Sequence, residues 1–300
     1  MMTETFGTST SYGADPFVNT LGHLAQGRLL RTTLEPTPPE ASLLATTHTP
    51  WLPLLERLTE MAPTWGVWKR PDSALEGDGD IDSVAATDDW PSILQVYRDW
   101  ASEHGLQPVL RCTHMPGALV LAACAGEAPT RLLQMDVYSR QLFRGATLIQ
   151  ARELQPLMVL DPRGFRRLRP GAEGLLGLLH NSIRRGGRPG DGAQSTFIVD
   201  LLRRDPEGAE QLASAVGLPV RVVRALLSGD WERWPILTFE LRAVLRLLGD
   251  PRELRRCIAV DYRRFRRCSL IDALRDGRRV PGDRAAWLRE VRRSHTVYET

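Results

Sequence analysis

The sequence of 300 residues has little lysine, few cysteines and no long apolar run. Among its 39 basic residues one is a lysine, Lys69, and the rest are arginines. The longest apolar runs, such as 118–126, are far shorter than the roughly 20 residues that a membrane-crossing helix needs. The first residues also lack a basic segment followed by an apolar one, so no secretory signal is predicted. We therefore expect a cytoplasmic protein without a membrane partner.

The cysteines, the charge and the known catalytic motifs exclude several further classes. The four cysteines form no CxxC pair, and Cys112 with His114 supplies only two of the four ligands of a structural zinc site. A formal net charge of +3 is too small to indicate nucleic-acid binding by itself. The P-loop pattern GxxxxGK[ST] and the nucleophile elbow GxSxG are both missing from the sequence. Because the net charge is small, nucleic acid is not an expected partner.

Changes in composition divide the chain into three parts. Residues 1–49 are rich in Thr, Ser, Pro and Gly, which predicts an extended or flexible N-terminal arm. Residues 50–165 alternate helical and strand-like patterns, as in a sheet flanked by helices. Residues 166–300 show helical periodicity interrupted by Gly, Pro and Asp, which predicts a helical domain. The predicted fold class is therefore α+β, a mixed sheet flanked by helices and followed by a helical domain.

The stretch GDIDSVAA, residues 79–86, places two carboxylates at the start of a predicted strand. Residues i and i+2 of a strand point to the same face, so Asp80 and Asp82 face the same way while Ile81 faces the opposite layer. Two such anions repel each other unless a cation lies between them. The alternative is a solvated turn, for which Asp and Gly are typical residues. Asp136, which interrupts the apolar run 131–138, provides a third carboxylate that a buried strand seldom carries without a partner.

These acids and their order in the chain resemble the polymerase-beta-type nucleotidyltransferase superfamily, including the nucleotidyltransferase-like domains of small bacterial proteins. The features that carry the resemblance are the GDxD motif at 79–82, the lysine before it, the third acid on a later strand, and the FRG segment at 143–145. The resemblance covers about residues 51–170. It implies a nucleotidyltransferase-like fold for residues 50–165.

The resemblance also implies a function and its site residues. Asp80, Asp82 and Asp136 would be the catalytic residues and would bind Mg²⁺ or Mn²⁺, with Asp136 completing the site or activating the acceptor oxygen. The substrate-binding residues would be Lys69, Arg70, Ser73 and Arg144. The expected reaction is transfer of a nucleoside monophosphate from a nucleoside triphosphate to a small-molecule or sugar-like acceptor.

One element of the family pattern is missing from this chain. The Gly-Ser pair that usually holds the triphosphate at a helix N-terminus is absent from residues 69–77, KRPDSALEG, which contain Ser73 alone. Either Lys69 and Arg70 supply the phosphate contacts, or triphosphate binding has been lost. The alternative function is therefore a catalytically inactive nucleotidyltransferase fold that acts as a binding or regulatory protein.

Overall fold

The computed structural model of the protein describes residues 51–76, 80–112, 117–125, 131–190, 196–267 and 295–298. All of these belong to one compact unit, Glu40–Thr300. The predicted N-terminal arm lies outside the described residues, and so does His114. No helix in the described part of the chain is long and apolar enough to cross a membrane.

Helices and strands are both present, which confirms the predicted α+β class. The described helices are α1 (Trp51–Met61), α2 (Pro71–Leu75), α3 (Trp90–Glu103), α4 (Pro170–Asn181), α5 (Thr196–Arg204), α6 (Pro206–Val216), α7 (Val220–Leu227), α8 (Arg233–Gly249) and α9 (Pro251–Arg267). The strands are β1 (Gly66–Lys69), β2 (Ile81–Val84), β3 (Val109–Cys112), β4 (Ala118–Ala125), β5 (Arg131–Tyr138), β6 (Arg140–Phe143), β7 (Ala146–Gln150), β8 (Met158–Leu160), β9 (Arg166–Leu168), β10 (Ile183–Arg184), β11 (Arg188–Pro189) and β12 (His295–Tyr298).

The main sheet is mixed and has eight strands in the order β12-β3-β4-β5-β2-β1-β9-β8. The pairs β2 with β5 and β1 with β9 are parallel, and the other neighbours are antiparallel. The strands β6 and β7 form a separate hairpin, and so do β10 and β11. Two strands of the main sheet, β9 and β12, lie after residue 165, within the part predicted as a helical domain. The division into domains itself stays a prediction.

One face of the sheet is closed by α1 and α3. These helices bury apolar residues at helical spacing, which are Trp51, Leu54, Leu55 and Leu58 on α1 and Ile93, Tyr97 and Trp100 on α3. They pack on inward-facing strand residues such as Val67, Ile81 and Met135. The ring centroids of Trp51 and Trp100 are 5.3 Å apart and nearly parallel, which joins the two helices.

The second hydrophobic core lies between the sheet and the C-terminal helices. Trp68 and Val84 contribute to it from β1 and β2, and most of its other members come from α4 to α8 and from the hairpin β6–β7. The strands β1 and β2 therefore contribute side chains to both cores. The acidic residues lie on the sheet face that looks toward this second core.

Candidate metal centre

Asp82 and Asp136 lie on neighbouring strands, and Asp80, the residue before β2, joins them. In the parallel pair of β2 and β5, Asp82 is directly beside Asp136, and Ile81 is beside Met135. One carboxylate oxygen from each of the three aspartates lies within 4.8 Å of the others. Ile81 and Met135 belong to the core under α1 and α3, so alternation directs Asp82 and Asp136 to the opposite face. The acids predicted from the sequence thus form one cluster, called the acidic triad below.

The acidic triad is largely withdrawn from solvent. Asp136 is 8% exposed, and Asp80 and Asp82 are half-buried. Like charges at this separation in a partly dry site repel strongly and require compensation by cations or hydrogen-bond donors. The neighbouring side chains provide part of that compensation.

Lys69 is the first compensating group. Its Nζ lies 3.1 Å from Oδ2 of Asp82, and both side chains are mostly buried. A β-bulge between Val67 and Lys69 shifts the register against β2 and brings Lys69 opposite Asp82. Val67 points into the α1–α3 core, so regular alternation would have sent Lys69 to the same side. The bulge therefore delivers the one lysine of the chain to the acidic triad.

Hydrogen-bond donors on β5 hold the carboxylate of Asp136. Nε2 of Gln134 donates to Oδ1 at 2.7 Å, and the phenol of Tyr138 donates to Oδ2 at 3.1 Å. Both residues are two positions from Asp136, on the same strand face. Burial raises the pKa of Tyr138 well above 10, and the negative charges of Asp136 and Asp82 raise it further. Tyr138 is therefore a fixed donor at neutral pH.

A histidine that the sequence did not single out lies behind Lys69. The ring centroids of His180 and Trp68 are 5.3 Å apart. Burial lowers the pKa of His180 to about 4, and the positive charge of Lys69 contributes to the shift. His180 is thus neutral at pH 7, and Lys69 carries the local positive charge.

Arg70 and Ser73 lie at the start of α2, next to Lys69, where the sequence predicted phosphate contacts. The backbone N–H of Arg70 donates to Oε1 of Glu173 at 2.9 Å, and the guanidinium lies 4.7 Å from the ring centroid of Phe197. Ser73 is exposed and donates to the carbonyl oxygen of Arg70 at 3.3 Å. The carboxylate of Glu173 therefore already accepts the backbone N–H of Arg70 at this turn.

Glu173 belongs to a buried ionic network beneath the turn. It is 3% exposed and accepts a 2.8 Å contact from Arg167 on β9. Arg167 also contacts Asp161 at 3.2 Å, and Asp161 pairs with Arg163 at 2.7 Å. Burial disfavours the charged form of Asp161, but hydrogen bonds from Arg163 and Arg167 outweigh it and lower its pKa to about 2. The network fixes the end of β1 against α4.

Arg144 has a different environment from the other predicted site residues. It occupies the two-residue turn between β6 and β7, with φ of 52° for Arg144 and 83° for Gly145. Its Nε donates to Oε1 of Glu240 at 2.7 Å and its Nη2 to the carbonyl of Ile183 at 2.8 Å. Within the described residues, none of its contacts joins it to the acidic triad. A hairpin of this type needs positive φ at both positions, which explains the glycine of FRG.

The donor set of the triad suits a hard divalent cation. Three carboxylates that converge on one point are the oxygen ligands that Mg²⁺ and Mn²⁺ prefer. Sequence reasoning found all three, but it missed Gln134, Tyr138 and Glu173. Glu173 did leave a signal, since it is a single acid in an otherwise apolar helix, GAEGLLGLL.

Comparisons with known proteins assign no family to this chain. No family model, no curated protein and no solved structure matches it.

Proposed function

We propose that this protein is a metal-dependent nucleotidyltransferase-like enzyme, which transfers a nucleoside monophosphate to a small-molecule or sugar-like acceptor. The observation that carries the proposal is that one carboxylate oxygen from each of Asp80, Asp82 and Asp136 lies within 4.8 Å of the others, with Asp82 and Asp136 on paired strands. The order of the elements also supports the proposal, because the family that the sequence resembles shares it. That order is a strand, a short helix, the strand with the acid pair, a helix, and a later strand with the third acid.

The residues of the triad would divide the work of the reaction. Asp80 and Asp82 would hold Mg²⁺ or Mn²⁺ together with Asp136, and the bound ion would stabilise charge on the reacting phosphate. A hydroxyl oxygen of the acceptor forms a bond to the α-phosphorus, and the bond from that phosphorus to the bridging oxygen breaks and releases pyrophosphate. The hydroxyl proton passes to a base, for which the oriented carboxylate of Asp136 is the candidate.

Lys69 contributes the positive charge nearest to the triad. Its ammonium contacts Asp82 in the structure, and a flexible lysine side chain can turn toward a phosphate while it stays beside the acids. Arg70, at the adjacent exposed turn, is the second candidate for a phosphate contact. In this proposal Lys69 and Arg70 replace the missing Gly-Ser pair.

A second candidate function is a catalytically silent nucleotidyltransferase fold with a binding or regulatory role. Two observations favour it. The ammonium of Lys69 already neutralises part of the triad, and the carboxylate of Glu173 accepts the backbone N–H of Arg70. An internal cation and an internal anion would then take the places of the metal and a phosphate.

Metal and nucleotide titrations separate the two candidates. An enzyme should bind Mn²⁺ or Mg²⁺, and at least one of ATP, GTP, CTP and UTP in its presence. The variants Asp82→Asn and Asp136→Asn should each weaken Mn²⁺ binding by roughly tenfold or more, because each loses one ligand charge. Asp230→Asn, at an exposed position on the helical side, is the matched control.

The outcomes assign the function. Loss of Mn²⁺ and nucleotide binding in both triad variants, with Asp230→Asn unchanged, supports the enzyme. A wild-type protein that binds neither the metal nor any of the four nucleotides contradicts the enzyme and leaves the silent fold.

A further inference from the structure

We propose that a groove at the carboxyl ends of β2 and β5 is a binding site for a small molecule that carries phosphate groups. The groove has a volume of about 960 Å³. On the sheet side it is lined by Ala86 and Thr87, which follow β2, and by Ser139 and Arg140, which follow β5. The end of α8 and the start of α9 form the other wall. This site depends on the groove alone and not on the proposed transferase activity.

Arginines dominate the charge of the groove. Its lining contains four arginines and two acids, namely Arg140, Arg152, Arg246, Arg256, Asp250 and Glu253. Asp250 is occupied as a helix cap, since its Oδ1 accepts the N–H groups of Arg252 and Glu253. The lining therefore carries an excess of positive charge, as a site for a polyanion requires.

Arg246 provides the clearest contact point. It lies on the last turn of α8, is exposed, and lines the groove. No acidic side chain in the described part of the chain pairs with its guanidinium. A guanidinium offers a planar set of donors that matches two phosphate oxygens. An anion that enters the groove would find this group available without breaking an ion pair to any of the described residues.

Hydrogen bonds between lining residues hold several side chains of the groove in place. Nη1 of Arg140 donates to Oε1 of Glu253 at 2.6 Å and to the hydroxyl of Thr147 at 3.2 Å. Glu253 also accepts from Arg256 at 2.9 Å, so two arginines share one carboxylate. The side chains of Arg140 and Glu253 are 14% and 17% exposed. Two arginines that share one carboxylate keep uncompensated positive charge in a fixed place, which reduces the entropy lost when an anion binds.

The size of the groove favours a small molecule over a polynucleotide. Pockets of about 300–1,000 Å³ are typical of small-molecule ligands. The groove lies between a wall from the sheet and a wall from the helices, which suits a compact ligand, whereas a polynucleotide needs an extended basic track. The ligand class that fits is therefore a compact phosphate ester, diphosphate or nucleotide.

The test uses inorganic pyrophosphate as the probe and the full chain in the presence of EDTA, which removes any metal from the acidic triad. Isothermal titration should show binding to the wild type that weakens as salt is raised. Arg246→Ala should weaken it by about tenfold, the loss of one charge-assisted contact. Arg242→Ala and Arg255→Ala, which remove exposed arginines from the same two helices without touching the groove, should leave it within about twofold.

The variants distinguish binding in this groove from binding elsewhere on the protein. Selective loss in Arg246→Ala, together with unchanged binding in Asp82→Asn, supports the groove and separates it from the triad. No pyrophosphate binding at millimolar concentration, or equal weakening in the Arg242 and Arg255 controls, overturns the proposal. A single-stranded oligonucleotide that binds at Arg246 more tightly than both pyrophosphate and a mononucleotide also overturns it, in favour of a nucleic-acid site.

Discussion

The ammonium of Lys69 lies 3.1 Å from the carboxylate of Asp82, and Asp82 pairs in register with Asp136 on the next strand. Lys69, Asp82 and Asp136 are register partners across β1, β2 and β5. A cation is thus built into the acidic triad. A divalent ion that binds there shares Asp82 with Lys69 or displaces it, and this competition can be measured.

Replacing Lys69 by methionine should destabilise the metal-free protein and strengthen metal binding. Without the ammonium the carboxylates repel each other, and we expect a loss of about 1.5–3 kcal/mol, the value of a hydrogen bond to a charged group. Added Mn²⁺ should restore the lost stability. Chemical unfolding with and without Mn²⁺ measures both effects, and Lys69→Arg is the charge-conserving control. Equal metal affinity in wild type and Lys69→Met would show that Lys69 does not compete.

Tyr138 should remain protonated far into the alkaline range. Its folded-state pKa is raised above 10, so its contribution to stability is present below pH 10 and is lost as the pH rises through the folded-state value. Tyr138→Phe should cost about 1 kcal/mol at pH 7, the value of one hydrogen bond. Ultraviolet difference absorbance between wild type and variant should isolate a phenol that ionises well above 10. A phenol that titrates near 10 would contradict the contact with Asp136.

The ionised carboxylate of Asp161 should stabilise the fold at neutral pH and lose this effect in acid. Its pKa falls from 3.8 to about 2 on folding, so its contribution is complete above about pH 4 and disappears as the pH falls toward 2. Asp161→Asn should cost about 2 kcal/mol at pH 7, since a shift of one unit corresponds to about 1.4 kcal/mol. Urea unfolding across this pH range should show the two proteins converge at low pH. A difference that persists at pH 2 would mean that packing, and not charge, causes the loss.

Arg144 and Glu240 should behave as a structural pair. Glu240 is 6% exposed and also accepts the N–H groups of Gly186 and Gly187 at 3.0 Å each. Arg144→Ala leaves this carboxylate buried without its guanidinium, so we expect a loss of about 3 kcal/mol. Nucleotide affinity should stay unchanged in the variant. A selective loss of nucleotide affinity, with stability kept, would instead support the substrate-binding role predicted from the sequence.

The sequence alone was sufficient to identify the acidic triad. Alternation on a strand placed Asp80 and Asp82 together, and the isolated acid in the apolar run 131–138 pointed to Asp136. The strands that carry Asp82 and Asp136, β2 and β5, were also predicted. These features follow from local periodicity, which is readable in a single sequence.

Features that depend on distant pairing could not be predicted. The bulge in β1 that turns Lys69 toward Asp82 is visible only in the register with β2. The strand His295–Tyr298, in the part predicted as a helical domain, pairs with β3 nearly two hundred residues earlier in the chain. The placement of Glu173 on the amide of Arg70 likewise needs the packing of α4 beside β1. Each of these contacts joins segments whose separation in sequence gives no local signal.

The position of β9 in the sheet has a consequence for how the chain is made. Val67 on β1 pairs with Arg167 on β9, about a hundred residues later. While a ribosome is still synthesising the intervening segment, β1 has one unpaired edge, and β3 likewise lacks β12 until residues 295–298 have been made. Unpaired strand edges favour association between chains, so we expect overexpression to favour inclusion bodies over native material.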